Sequence, residues 1–140
     1  DNSRVKDSLE LATKFIYKKL EGGRELRFRK DYHARIAYHT PCHLERLGWE
    51  YFSTELLKMI PGVELTVLDS NCCGIAGTYG FKKENYEVSQ AIGKPLFDSI
   101  AAAEPDFVVC DCETCKWQIE MSTGTGVKHP VSVLAEALEI

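Results

Sequence analysis

Five of the six cysteines in this 140-residue chain stand in a pattern that suits metal chemistry: Cys42, then the adjacent pair Cys72 and Cys73, then Cys112 and Cys115 in "CETC". A disulfide between Cys72 and Cys73 is disfavoured. Neighbouring Cα atoms sit about 3.8 Å apart, closer than the roughly 4.4–6.8 Å of bridged cysteines. Adjacent side chains also tend to point apart. Two such sulfurs suit an object with several metal atoms, each sulfur reaching a different one, better than a single small ion. Gly74 follows the pair and gives a backbone that can approach closely or take φ > 0. The sixth thiol, Cys110, lies inside the apolar run "FVVCD" with its side chain opposite in sense to that of Val109. It reads as a packed core thiol, a common place for free cysteine.

Other chemistries fit less of the pattern. Four thiols would satisfy a structural zinc, with "CETC" as one half, but five exceed that need. A dithiol redox site at "CETCKWQ" leaves Cys42 and the doublet unexplained. The glycines of "GIAGTYG" miss the spacing of a dinucleotide-binding loop, and Lys94 stands about where its acid would be. They read as turn and packing residues. His39 and His43 flank Cys42 in "YHTPCH". They are candidates to donate hydrogen bonds to sulfur, tune a potential or relay a proton, with a satisfied structural histidine as the plainer reading. Tyr38, Trp49 and Trp117 read as core or interface aromatics. His33 and His129 carry no assigned role, and His129 stands before a proline in a turn-like setting.

The elements that must position these thiols alternate. Residues 35–40, 64–69 and 106–111 read as strands, and 127–133 as a short fourth. Helical spacing runs over 3–20, with Ser3 as cap and Gly22–Gly23 as stop, and over 44–60, 84–103, 113–122 and the final "SVLAEALEI". Pro95 is expected to kink or split the third of these helices. Strands alternating with helices predict an α/β fold. The expectation is a single three-layer domain, a short, mostly parallel sheet of about four strands flanked by helices. Each cysteine set follows a strand and precedes a helix. All three should therefore gather at the carboxyl edge of the sheet, near helix N-termini that favour thiolates.

Length and composition are those of one soluble globular domain. A net charge of −4 argues against nucleic acid as the main partner. No apolar run has the length of a membrane span, and no signal peptide is evident. Six cysteines without secretory features point to metal or catalytic thiols in a reducing compartment. The chain opens at Asp1 in what reads as helix, so it is expected to be a fragment of a longer protein. Residues 1–34 would be a helix and connector trailing from a preceding region, and 35–140 the cysteine-rich domain. The basic stretch 24–35, "RELRFRKDYHAR", reads as a solvated connector, with acidic lipid or another polypeptide of a complex as the alternative.

The order Cys, Cys-Cys-Gly, Cys-x-x-Cys resembles the CCG cysteine-rich domain, shared by heterodisulfide reductase B subunits and several quinone-linked iron–sulfur oxidoreductases. The wider text "AYHTPCHLERLGW", "LDSNCCGIAGTYGFKKENY" and "CETCKWQIEMSTG" is similar to the end of the C-subunit family of anaerobic glycerol-3-phosphate dehydrogenases. The likeness covers roughly the last three-quarters of the chain. It implies that Cys42, Cys72, Cys73, Cys112 and Cys115 are ligands of an iron–sulfur cluster of 4Fe-4S type, with a non-cubane form as one option, and that Gly74 belongs to the binding loop. In an isolated fragment handled in air, iron is expected to be lost and zinc or nothing to remain. The resemblance further implies electron transfer from flavoprotein glycerol-3-phosphate dehydrogenase subunits towards menaquinone. It implies a cytoplasmic protein, peripheral on the inner face of the membrane, with the substrate chemistry in the partner. Such proteins also have a ferredoxin-like amino-terminal part and an earlier cysteine-rich region.

Overall fold

The computed structural model describes residues 9–139 together with Val5. The expected cap Ser3 lies outside the described residues. Among them, the chain runs α1 (Ala12–Glu21), β1 (Ala34–Tyr38), α2 (Cys42–Glu45), α3 (Glu50–Lys58), β2 (Val63–Val67), two 3-10 turns (Tyr79–Phe81 and Lys83–Asn85), α4 (Tyr86–Ala103), β3 (Phe107–Val109), α5 (Glu113–Thr123), β4 (Val127–Lys128) and α6 (Pro130–Ala137). The four strands form one sheet in the order β2-β1-β3-β4, every neighbouring pair parallel. The expected α/β architecture of helices around a parallel sheet is what forms.

Period-two alternation on the strands builds two cores. Ile36, Tyr38 and Val109 point to one face, where Leu56, Leu57 and Ile60 of α3 meet Val133, Leu134 and Ala137 of α6. Ile16, Tyr17 and Leu20 of α1 close that layer. Ala37 and Val108 point to the other face, against Leu96 and Ile100 of α4 and Ile119 of α5. Each fully buried leucine or isoleucine contributes about 1.5–3 kcal/mol. Both faces are covered, as a parallel sheet requires.

Three local expectations are corrected. The helix over 44–60 is interrupted, and α2 and α3 are separated at Gly48, which takes φ 64°, a left-handed value that stops a helix. Pro95 does not split α4, which is one helix of 18 residues. The carbonyl of Ala91 that Pro95 leaves without a donor sits on an exposed part of the helix, so water can satisfy it. The fourth strand is only Val127–Lys128. His129 then caps α6, its Nδ1 accepting the Val131 N–H at 3.2 Å, with Pro130 at the first helical position.

The basic connector pairs with the chain's far end. Arg29 N–H donates to the Ala137 carbonyl at 2.8 Å and Glu139 N–H to the Arg27 carbonyl at 2.9 Å, around a Phe28–Leu138 bridge. Leu26, Phe28 and Tyr32 pack on the α3–α6 core, while the charged side chains between them stay exposed.

Candidate metal centre

Three neighbouring strands deliver the cysteines. β1 is flanked by β2 and β3, so the loops leaving their carboxyl ends lie side by side. Cys42 opens α2, four residues beyond β1. Cys112 is the N-cap of α5 and Cys115 lies in its first turn. The doublet Cys72–Cys73 sits in the loop after β2. It does not adjoin a helix N-terminus as expected, because the two 3-10 turns intervene before α4. Local backbone donors take that role. Gly74 N–H donates to Cys72 Sγ at 3.4 Å.

All five cysteines named from the sequence line one cavity of about 270 Å³, together with His39, His43 and the Ile75–Gly77 segment. That is about nine times the share of one liquid water. The sulfurs ring this space rather than close on a point. Cys73 and Cys115 are in contact, Sγ to Sγ 3.2 Å, and none of the six thiols is in a disulfide. Cys42 and Cys72 form the exposed rim, and Cys73 and Cys115 the buried floor.

The floor is built by close packing. Gly74 takes φ 88°, and a Cβ there would stand 2.0 Å from the Ser89 carbonyl oxygen of α4. Ser89 Oγ donates to the Gly74 carbonyl at 2.8 Å and accepts from Gln118 Nε2 of α5 at 2.9 Å. The doublet loop is thus latched to both helices of its face. On the other side of the site, Asp111 lies between Cys110 and Cys112. Its carboxylate accepts from the Tyr38 hydroxyl at 2.6 Å and the Ser53 hydroxyl at 2.7 Å.

Thiol acidity is partitioned across the cavity. The hydrogen bond shared with Cys115, with help from nearby His39 and the Ile75 backbone N–H, lowers Cys73 to about 5 against the cost of burial. Cys112 falls to about 4, first through Cys115 and then through Thr114, whose hydroxyl lies 3.2 Å from its sulfur, and backbone N–H groups. Cys115 is raised by its hydrogen bonds to Cys110, Cys112 and Cys73 and keeps the shared proton. Burial raises Cys72. Thiolates lining a cavity are what a cationic metal centre binds.

Two residues are placed more fully than the sequence allowed. Cys110 is buried in the α4–α5 core, as expected, yet its sulfur also turns towards the site. With one nitrogen of His39 and Cys115 Sγ it forms a group whose three ligand atoms all lie within 4.8 Å of one another. β3 stops at Val109, so Cys110 belongs to the loop as much as to the strand. His39 is 1% exposed, and neither ring nitrogen has a partner. The plain reading of a satisfied structural histidine is therefore not met. His43 is exposed at the rim. Tyr38 is fully buried, and Trp49 is half-buried beneath Lys14 Nζ, 4.6 Å from its ring. Trp117 is half-exposed, with Phe81 6.1 Å away.

Comparison with known proteins bears on the same residues. The CCG cysteine-rich domain family matches residues 36–120, which hold all six cysteines. The chain belongs to this family. CCG relatives carry the likeness further. The C subunit of anaerobic glycerol-3-phosphate dehydrogenase from Escherichia coli K12 is 58% identical over 138 residues, 99% of this chain and 35% of the relative. An uncharacterized iron–sulfur protein of Methanocaldococcus jannaschii is 36% identical over 90 residues, 63% of this chain and 18% of the relative. The B subunit of a fumarate reductase (CoM/CoB) from Methanothermobacter marburgensis is 32% identical over 96 residues, 66% of this chain and 19% of the relative. This CCG chain therefore spans about a third of the length of the first of these proteins.

Proposed function

We propose that this chain is the cluster-holding segment of an iron–sulfur electron-transfer subunit in an anaerobic glycerol-3-phosphate dehydrogenase. Residues 35–140 form the cluster-holding unit, and 1–34 lead in from a preceding region. The cluster is of 4Fe-4S type, with the non-cubane form open to the adjacent pair. Electrons arrive from flavoprotein partner subunits, which carry the substrate chemistry, and leave towards menaquinone at the inner face of the cell membrane. No helix among the described residues is long and apolar enough to cross a membrane, so membrane contact in this reading is peripheral.

The observation that carries this reading is the convergence of Cys42, Cys72, Cys73, Cys112 and Cys115 on one cavity from three loops. The residues present fit a cluster. Donors are all sulfur, two are held as thiolates, and a buried imidazole without partners faces them. When bound, a cluster supplies one-electron chemistry, with a potential set by hydrogen bonds to sulfur, net charge and exposure. The chain's own contributions are to orient the sulfurs, exclude water at the Cys73–Cys115 floor, and leave the Cys42–Cys72 rim open for electron exchange. A zinc or dithiol site would leave the size of the cavity and the doublet without a use.

Anaerobic reconstitution with iron and sulfide tests the reading. Visible charge-transfer absorbance and a paramagnetic signal in one redox state are expected. Cys73→Ser should abolish both and Cys110→Ser should preserve them. Loss through Cys110→Ser alone would overturn the ligand assignment. One zinc per chain with no iron uptake under any condition would replace the cluster by a structural ion. Rapid mixing with the reduced flavoprotein should reduce the centre, and failure to do so would remove the proposed donor.

A further inference from the structure

His39 is the one buried histidine whose chemistry nothing so far uses. It follows β1 directly, and its backbone N–H is taken by the Val109 carbonyl of β3 at 2.9 Å. Its ring is 1% exposed with both nitrogens unpartnered. A buried polar group without a hydrogen bond costs about 1–3 kcal/mol, a cost that a ligand-binding site can recover. One of its nitrogens lies within 4.8 Å of both Cys115 and Cys110 Sγ, and the ring lines the cavity floor with Cys73 and Cys115. The neighbouring hydroxyl and amide donors are committed: Ser89 to Gly74, Gln118 to Ser89, Thr114 with Cys112, and Tyr38 and Ser53 to Asp111. A neutral imidazole always carries one N–H, so this ring is the uncommitted side-chain donor at the floor.

We propose that His39 is a positioning residue of the metal centre, donating an N–H hydrogen bond to Cys115 sulfur and thereby raising the reduction potential. The inference rests on the cluster reading above. The physical argument is charge. One electron taken from the flavoprotein partner adds one negative charge to the centre and its thiolate ligands. A donor aimed at a ligand sulfur stabilises the more negative, reduced form above the oxidised one, and most strongly where water is excluded. His43, exposed at the rim, competes with water for any sulfur and has no such effect.

The test uses the intact protein, purified without oxygen. Cys73→Ser first identifies the signal that belongs to this centre, as the signal that the variant removes. That signal is then followed in redox titrations of wild type, His39→Leu and His39→Gln, with iron and sulfide measured on each. The expected result is unchanged iron and sulfide in both variants and a lower potential in His39→Leu. The expected shift is about tenfold in the reduction equilibrium, equivalent to about 59 mV for one electron. His39→Gln, which keeps an N–H donor, should recover most of it, and His43→Leu should not move the potential. An unchanged potential in His39→Leu would overturn the proposal. So would loss of iron from both His39 variants, which would make His39 a ligand or a purely structural residue. If Cys73→Ser removed no signal, the cluster reading itself would fail, which is a separate outcome.

Discussion

At the scale of single residues, the site works by unequal treatment of chemically identical thiols. Cys115 touches Cys73, and the neighbouring sulfurs push its acidity down while Cys73 and Cys112 become more acidic. The adjacent sulfurs of the doublet differ as well. Cys73 is buried on the floor, whereas Cys72 is at the rim with burial of its sulfur pushing its acidity the other way. A consequence can be measured on iron-free, reduced protein. Cys112 should alkylate with iodoacetamide at a rate that stays level as pH falls, until the pH nears about 4. An ordinary thiol, with pKa about 8.5, loses tenfold per unit below that value. Peptide mapping by mass spectrometry reads the profile, and a rate for Cys112 that declines from pH 8 would contradict the assigned thiolate.

At the scale of elements, the decisive contact is between α4 and the doublet loop. The loop has no regular structure of its own, and it is held by the Gly74–Ser89–Gln118 latch. Gly74→Ala would place a Cβ 2.0 Å from a backbone carbonyl at φ 88°. The left-handed backbone costs about 1–2 kcal/mol and the forced shift about 1–3 kcal/mol. The expectation is a lower urea midpoint and weaker iron retention together, because the same loop bears Cys72 and Cys73. A midpoint within error of wild type would show that the loop relaxes freely.

At the scale of the whole molecule, a buried network joins the sheet to its helices beneath the site. Asp111, in the loop after β3, accepts from Tyr38 at the end of β1 and from Ser53 on α3. Ser53 Oγ in turn lies 3.0 Å from the Thr13 hydroxyl on α1. Burial first, and then the Asp111 carboxylate, push Tyr38 well above the usual phenol range. A raised folded pKa means that this contribution is fully present below the unfolded value of about 10 and is lost as pH climbs past it. The slope is about 1.4 kcal/mol per pH unit. Denaturant midpoints between pH 9 and about pH 11 should show it. Tyr38→Phe should be less stable at neutral pH by about 1–3 kcal/mol, since Asp111 loses a donor, yet show a flatter alkaline profile. Parallel profiles for the two proteins would remove Tyr38 from the network.

The sequence by itself determined the alternation of strands and helices and the carboxyl-edge location, and it singled out the five cysteines that line one cavity. Those follow from local periodicity and from which residues end a strand, and they are written along the chain. It also marked Gly74 as a place where the backbone could approach closely or take φ > 0, and the structure shows that it does both. It did not contain the strand order, and only the order β2-β1-β3 makes the three cysteine loops neighbours. Nor did periodicity foresee the break at Gly48, where the backbone turns left-handed, or the persistence of α4 through Pro95, whose unpaired carbonyl meets water. His39 and the inward turn of the Cys110 sulfur were decided by tertiary structure alone. Whether a buried imidazole is satisfied depends on what the rest of the fold brings to its two nitrogens, and no local pattern encodes that.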